Sequence, residues 1–255
     1  MPEIAAQTTR RGVLVTGASR GIGRAVATAF AAAGDRVAVH YASRRADAEA
    51  TLAGLDGEGH VLVGGDVSDP ADAARIVDEA VAGLGGVLHV LVNNAAVNLP
   101  HPIAETSYED WQAAWERTVA VNLLGTANVS YRAARHMIEA GVPDGRIVNI
   151  GSRGAYRGEP DHPAYGATKA GVHALGQSLA VALAPHGIAV ASVAPGFVAT
   201  ERVADRVTEE TLRQSPFGRV ARPEEIAAAV RHLASPEATW SSGTVLDVNG
   251  ASYLR

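Results

Sequence analysis

The chain has 255 residues, 47% of them hydrophobic and 19% charged, which is ample for one sizeable core and unlike a disordered segment. Its formal net charge of −5, with arginines scattered rather than clustered, argues against a nucleic-acid partner. It contains no cysteine, which excludes disulfides, thiolate catalysis and cysteine-held metals, and its nine histidines show no spacing suited to a structural metal.

Residues 1–10 read as a flexible polar tail. Arg10-Arg11 precedes an apolar stretch, Val13-Leu14-Val15, that is too short for an export signal. No apolar run approaches membrane-spanning length, so the cytoplasm is the expected compartment. From Gly12 onward, short β-branched runs alternate with alanine-rich stretches. Strands are expected at 13–16, 36–41, 61–63, 88–92, 146–150, 188–193 and 244–248, each almost continuously apolar as in a sheet buried on both faces. Helices are expected at 23–33, 46–55, 71–82, 107–140, 164–184 and 223–234. The last opens on Pro223-Glu224-Glu225, a proline followed by first-turn acids. This alternation implies an α/β fold: a single-domain, Rossmann-type, doubly wound parallel sheet of about seven strands, spanning 11–255. The stretch 197–217 carries no strand pattern and is the expected substrate lid, with Phe197, Val198, Val203, Val207, Leu212 and Phe217 as its apolar residues.

Thr16-Gly17-Ala18-Ser19-Arg20-Gly21-Ile22-Gly23 follows the first strand and opens the first helix. A glycine-rich turn there lets the backbone approach a phosphate, while the helix N-terminus offers free N–H groups and positive potential. The second strand runs into His40-Tyr41-Ala42-Ser43-Arg44-Arg45, with no acid before Asp47 to hold a free ribose 2′-hydroxyl. Ser43 and Arg44, together with Arg20, suit a 2′-phosphate instead, so NADP(H) is expected over NAD(H).

Lys169 is the only lysine; all the other lysine-or-arginine cations are arginines. It stands four residues after Tyr165, so on a helix the two share a face. An ammonium beside a phenol stabilises the phenolate and fits Tyr165 for proton exchange near neutral pH.

Gly17-xxx-Gly21-x-Gly23, Asn93-Asn94-Ala95, Ser152, Tyr165-xxx-Lys169 and Pro195-Gly196, in that order, resemble the short-chain dehydrogenase/reductase family from residue 12 onward. Arg20, Pro223-Glu224-Glu225-Ile226-Ala227 and Val248-Asn249-Gly250 look most like its 3-oxoacyl-acyl-carrier-protein reductases. The resemblance implies that Tyr165 is the acid/base, that Lys169 lowers its pKa and holds the nicotinamide ribose, and that Ser152 hydrogen-bonds the substrate carbonyl. It assigns Asn122 to a water and proton relay. Asp66 and Val67 would contact adenine, Asn94 would border the cofactor, and Val198 and Thr200 would hold its carboxamide and phosphates. Relatives are commonly homotetramers. The chain departs from the family pattern at Ala96, Ala191 and Ala251, where asparagine or glycine is usual, and at His186, where a basic residue often helps hold an acidic carrier. Arg132 and Arg135 are the remaining basic candidates for that role. A ketone or secondary-alcohol oxidoreductase is therefore expected, with a 3-oxoacyl thioester among its candidate substrates. The alternative is a nucleotide-sensing regulatory or scaffold protein on the same fold.

Overall fold

The computed structural model describes residues 10–201 and 207–254. The expected tail, apart from Arg10, and the lid residue Val203 lie outside the described residues. Seven parallel strands form one sheet in the order β3-β2-β1-β4-β5-β6-β7. They are β1 (Gly12–Val15), β2 (Arg36–Tyr41), β3 (Val61–Gly64), β4 (Val90–Asn93), β5 (Gly145–Ile150), β6 (Ile188–Pro195) and β7 (Val245–Val248). The helices between them are α1 (Gly21–Ala32), α2 (Arg45–Ala53), α3 (Pro70–Gly83), α4 (Tyr108–Val119), α5 (Thr126–Glu139), α6 (Gly154–Arg157), α7 (Pro163–Leu183), α8 (Glu209–Arg213) and α9 (Pro223–Leu233). None of the helices described is long and apolar enough to cross a membrane.

Side chains alternate across each strand, and this divides the core in two. Val13 and Val15 of β1 point into one cluster with Phe30 of α1 and Val230 of α9. Leu14 between them points into the other, with Ile76 of α3 and Met137 of α5. All these side chains are fully or almost fully buried, which explains why the strands read as unbroken apolar runs.

All seven expected strands are present, displaced by no more than two residues at either end. The largest difference at a start is in β4, expected from 88. Leu88 and His89 instead feed their amides to the His136 ring and the Gly12 carbonyl, so the ladder begins at Val90. The stretch 107–140, expected as one helix, runs continuously but contains a π-helical turn, Ala120–Gly125, between α4 and α5. The short helices α6 and α8 were not expected. α8 lies inside the lid stretch, capped by Thr208, whose Oγ1 accepts from the Thr211 amide.

β1 lies between β2 and β4, so successive crossovers leave it in opposite directions. The crevice beyond the carboxyl ends of such strands is where open α/β sheets bind ligands.

Candidate active site

A cleft of about 350 Å³ opens at that crevice. Its floor is the β1–α1 turn. Gly17 and Gly21 have φ of +64° and +55°, a left-handed backbone that favours glycine. A Cβ on Gly23 would stand 2.3 Å from the Gly17 carbonyl oxygen, so the third glycine is needed for the helix to pack onto the turn. The turn is braced from behind. Asn94 Nδ2 donates to the carbonyls of Thr16 and Gly17, each at 2.9 Å, and Thr16 Oγ1 accepts from the amides of Asn94 and Ala95. His40, on β2, accepts the Gly17 amide at Nδ1 (3.0 Å) and donates from Nε2 to the Gly65 carbonyl (3.0 Å). Burial lowers the pKa of this imidazole to about 4, so it is neutral at physiological pH, as the accepting Nδ1 requires.

Ser19, Arg20 and Ile22 line the wall by the turn, and Ser43 and Arg44 line it beyond β2. Residues 40–44 contribute no carboxylate. Among the described residues, Arg44 is held only by an exposed 3.5 Å contact with Asp47. Asp66 and Val67 line the wall after β3. Burial pushes the Asp66 carboxyl up, but hydrogen bonds from Ser68 and the nearby Arg117 outweigh this and hold it below its ordinary value.

At the other end, β5 stops at Ile150 and delivers Ser152 in the following turn, where its Oγ accepts from the Gly154 amide at 3.0 Å. α7 brings Tyr165 and Lys169 to the same wall. Lys169 is 4% exposed; its Nζ donates to the Ile150 carbonyl at 2.6 Å and lies 5.6 Å from the Tyr165 ring centroid. A phenol, an ammonium and a hydroxyl therefore share one concave, partly dehydrated surface. That arrangement can stabilise negative charge on a carbonyl oxygen and exchange a proton with it. The start of α7 is fixed from the β4 side, where the Nδ1 atoms of His101 and His162 both meet the Leu99 carbonyl, at 2.8 and 3.0 Å. The His101 Nε2 accepts from the Ala164 amide.

The expected cofactor residues Gly17, Ser19, Arg20, Gly21, Ile22, Gly23, Ser43, Arg44, Asp66, Val67, Asn94, Val198 and Thr200 all border this cleft, as do Ser152, Tyr165 and Lys169. Asn122 does not. It is buried in the π-helical turn, with Oδ1 accepting from the Val97 amide (2.8 Å) and Nδ2 donating to the Val97 carbonyl (3.0 Å) and Thr168 Oγ1 (3.2 Å). It thus ties the loop after β4 to α7 one residue before the lysine. The two carrier candidates are engaged elsewhere: Arg132 with Asp78 and Arg135 with Glu139.

Sequence reasoning attached no role to His40, Arg117 or Arg153, which also line the cleft. A histidine inside a β-branched run was the available signal for the first, and a cation directly after the serine for the last. Nothing in the sequence marks Arg117, whose value depends on its spatial neighbour Asp66.

A family model described as enoyl-(acyl carrier protein) reductase matches residues 17–251. The chain is 35% identical over 249 residues to a 3-oxoacyl-[acyl-carrier-protein] reductase of Staphylococcus aureus, covering 96% of this chain and 98% of the relative. It is 38% identical over 249 residues to an L-rhamnose 1-dehydrogenase (NAD(P)(+)) of Sphingomonas sp. (strain SKA58), covering 95% and 96%. A crystal structure of a short chain dehydrogenase from Bacillus anthracis superposes with a TM-score of 0.85 at 30% identity, covering 96% of this chain and 97% of that one. With the parallel sheet, the glycine turn and the Ser152, Tyr165 and Lys169 wall in place, the chain belongs to the short-chain dehydrogenase/reductase family of oxidoreductases.

Proposed function

We propose that this chain is an NADP(H)-dependent oxidoreductase that reduces a ketone to a secondary alcohol, or runs the reverse reaction. A 3-oxoacyl thioester is one candidate substrate. The observation that carries the reading is the buried Lys169 ammonium beside Tyr165, on the wall of the cleft that the β1–α1 glycine turn floors.

The bound cofactor would supply or accept the hydride. Gly17, Gly21 and Gly23 let the turn close tightly against Ala95, Thr200 and its own backbone, and the first N–H groups of α1, which lack intrahelical partners, would serve its pyrophosphate. Arg20, Ser43 and Arg44 hold the 2′-phosphate, and the absence of a carboxylate from residues 40–44 supports NADP(H). Asp66 and Val67 border adenine, and Val198 and Thr200 border the nicotinamide half. Ser152 donates to the substrate oxygen, while Tyr165 passes it a proton and Lys169 favours the phenolate left behind. Asn122 acts here by holding Val97 and Thr168, in addition to the proton-relay role that the family resemblance gives it.

A homotetramer or dimer is the assembly that the family resemblance implies. Light scattering after gel filtration measures it directly.

Consumption of NADPH and NADH across β-ketoacyl thioesters, cyclic ketones, sugars and quinones tests the function. Turnover with NADPH preferred supports the reading. Tight cofactor binding with no turnover on any class would favour a sensor instead.

A further inference from the structure

Arg153 follows Ser152 directly, and it is buried, at 5% exposure. Its Nη2 donates to Gln214 Oε1 at 2.7 Å, and its guanidinium lies 4.9 Å from the centroid of the Phe197 ring. Its Nη1 is buried with no hydrogen-bond partner among the described residues. No carboxylate among those residues comes within ion-pair distance of it. Arg157, the next cation, donates to the same Gln214 oxygen, so two positive groups share one neutral acceptor.

A second cavity of about 330 Å³ adjoins the cleft, and Arg153 and Phe197 are the two residues lining both. Ser252 borders this cavity, and its buried Oγ also has no partner among the described residues. Of the carboxylates at the cavity, Glu225 is already held by two 2.7 Å bonds from Arg219, and Asp247 is exposed.

A buried guanidinium is costly unless its charge is compensated, and Glu159, which also borders the cleft, offsets only part of that cost. Burial accordingly draws the Arg153 pKa below its ordinary value. An anionic acceptor would offset what remains of that cost, and the two donors match the two oxygens of one carboxylate. The acids at the second cavity disfavour a dianion such as phosphate.

We propose that Arg153 anchors the substrate, and that the ketone or alcohol taken by this cleft carries a carboxylate held by Arg153 Nη1 and the Ser252 hydroxyl. This rests on the oxidoreductase reading for the identity of the reacting group but not for the anion site.

The test is calorimetric titration of cyclohexanecarboxylate, hexanoate and benzoate, each against its primary amide, into protein saturated with NADP⁺. At least one carboxylate should bind about tenfold or more tightly than its amide, the scale of one charge-assisted hydrogen bond. Arg153→Met should reduce that advantage to about twofold or less, and Arg153→Lys should restore part of it. NADPH affinity and melting temperature report whether each variant is folded. Should Arg153→Met fail to fold, Ser252→Ala decides, with an expected weakening of the carboxylate of about threefold. The proposal is overturned if no carboxylate outbinds its amide, or if the advantage survives in Arg153→Met. It is also overturned if Ser252→Ala, where that variant decides, changes nothing. A protein that binds carboxylates yet oxidises no NADPH with any ketone would refute the oxidoreductase reading alone. One that reduces neutral ketones without any carboxylate advantage would refute the anchor alone.

Discussion

Lys169 donates from Nζ to the main-chain carbonyl of Ile150 at 2.6 Å, so an ammonium on α7 is fastened to the end of β5 two residues before Ser152. One hydrogen bond therefore couples the positions of the cation and of the strand that presents the hydroxyl. Lys169→Arg keeps the charge but replaces a compact donor by a wider fork in a buried slot. A fall in kcat/KM of roughly 100-fold is expected in steady-state NADPH oxidation, with the melting temperature also reduced.

Tyr165→Phe removes one hydroxyl and little volume. Turnover should drop roughly 1,000-fold, within the range for a lost general acid. NADPH affinity, read by fluorescence titration, should change by less than about threefold. Undiminished turnover would rule out the phenol as proton donor.

His40 makes stability depend on acid in a predictable direction. Its folded pKa, about 4, lies below the ordinary value of 6.5, so the unfolded chain takes up the proton first. The contribution is complete above pH 6.5 and is lost as pH falls from there through about 4. It amounts to roughly 3 kcal/mol at full strength. In His40→Asn an amide oxygen can accept the Gly17 amide without titrating. Urea unfolding midpoints between pH 6.5 and 4 should therefore fall less steeply in the variant than in the parent protein.

Arg44→Asp places a carboxylate where the second strand leads into α2. The preference for NADPH over NADH should fall by about tenfold or more, the value of one charge-assisted contact. Comparison of kcat/KM for the two cofactors measures it, and an unchanged ratio would show that the 2′-phosphate is held elsewhere.

Ala251 stands in a left-handed conformation, φ +58°, at a position where the family pattern has glycine. The Cβ costs about 1–2 kcal/mol there, partly offset by the greater chain entropy that glycine loses on folding. Ala251→Gly should thus stabilise by about 1 kcal/mol, raising the melting temperature by about 2–4 °C.

The sheet was readable in the sequence because strands buried on both faces leave unbroken apolar runs, and the cleft because the first βα turn must carry the glycines. Three features were not readable, each for its own reason. The π-helical turn adds a residue within a helix, and neither composition nor 3.6-residue periodicity reveals that; only the oddity of Asn122 in mid-helix pointed to something there. The burial of Arg153 runs against the strong tendency of arginine to be exposed, so no local signal could announce it. The bracing of Gly17 by His40 joins residues 23 apart in the chain that meet only once β2 pairs with β1. α8 is different: Thr208-Glu209-Glu210 is a capping signal, but five residues are too few for periodicity to show.

The lone buried lysine also gives the protein an unusual chemical economy. A reagent that attacks unprotonated amines meets, apart from the α-amino group, one nitrogen in the entire chain, and that nitrogen belongs to a residue that borders the cleft yet is almost wholly buried. Acylation at this atom would thus record how readily a reagent reaches the cleft, and protection by bound dinucleotide would appear as a single mass shift withheld.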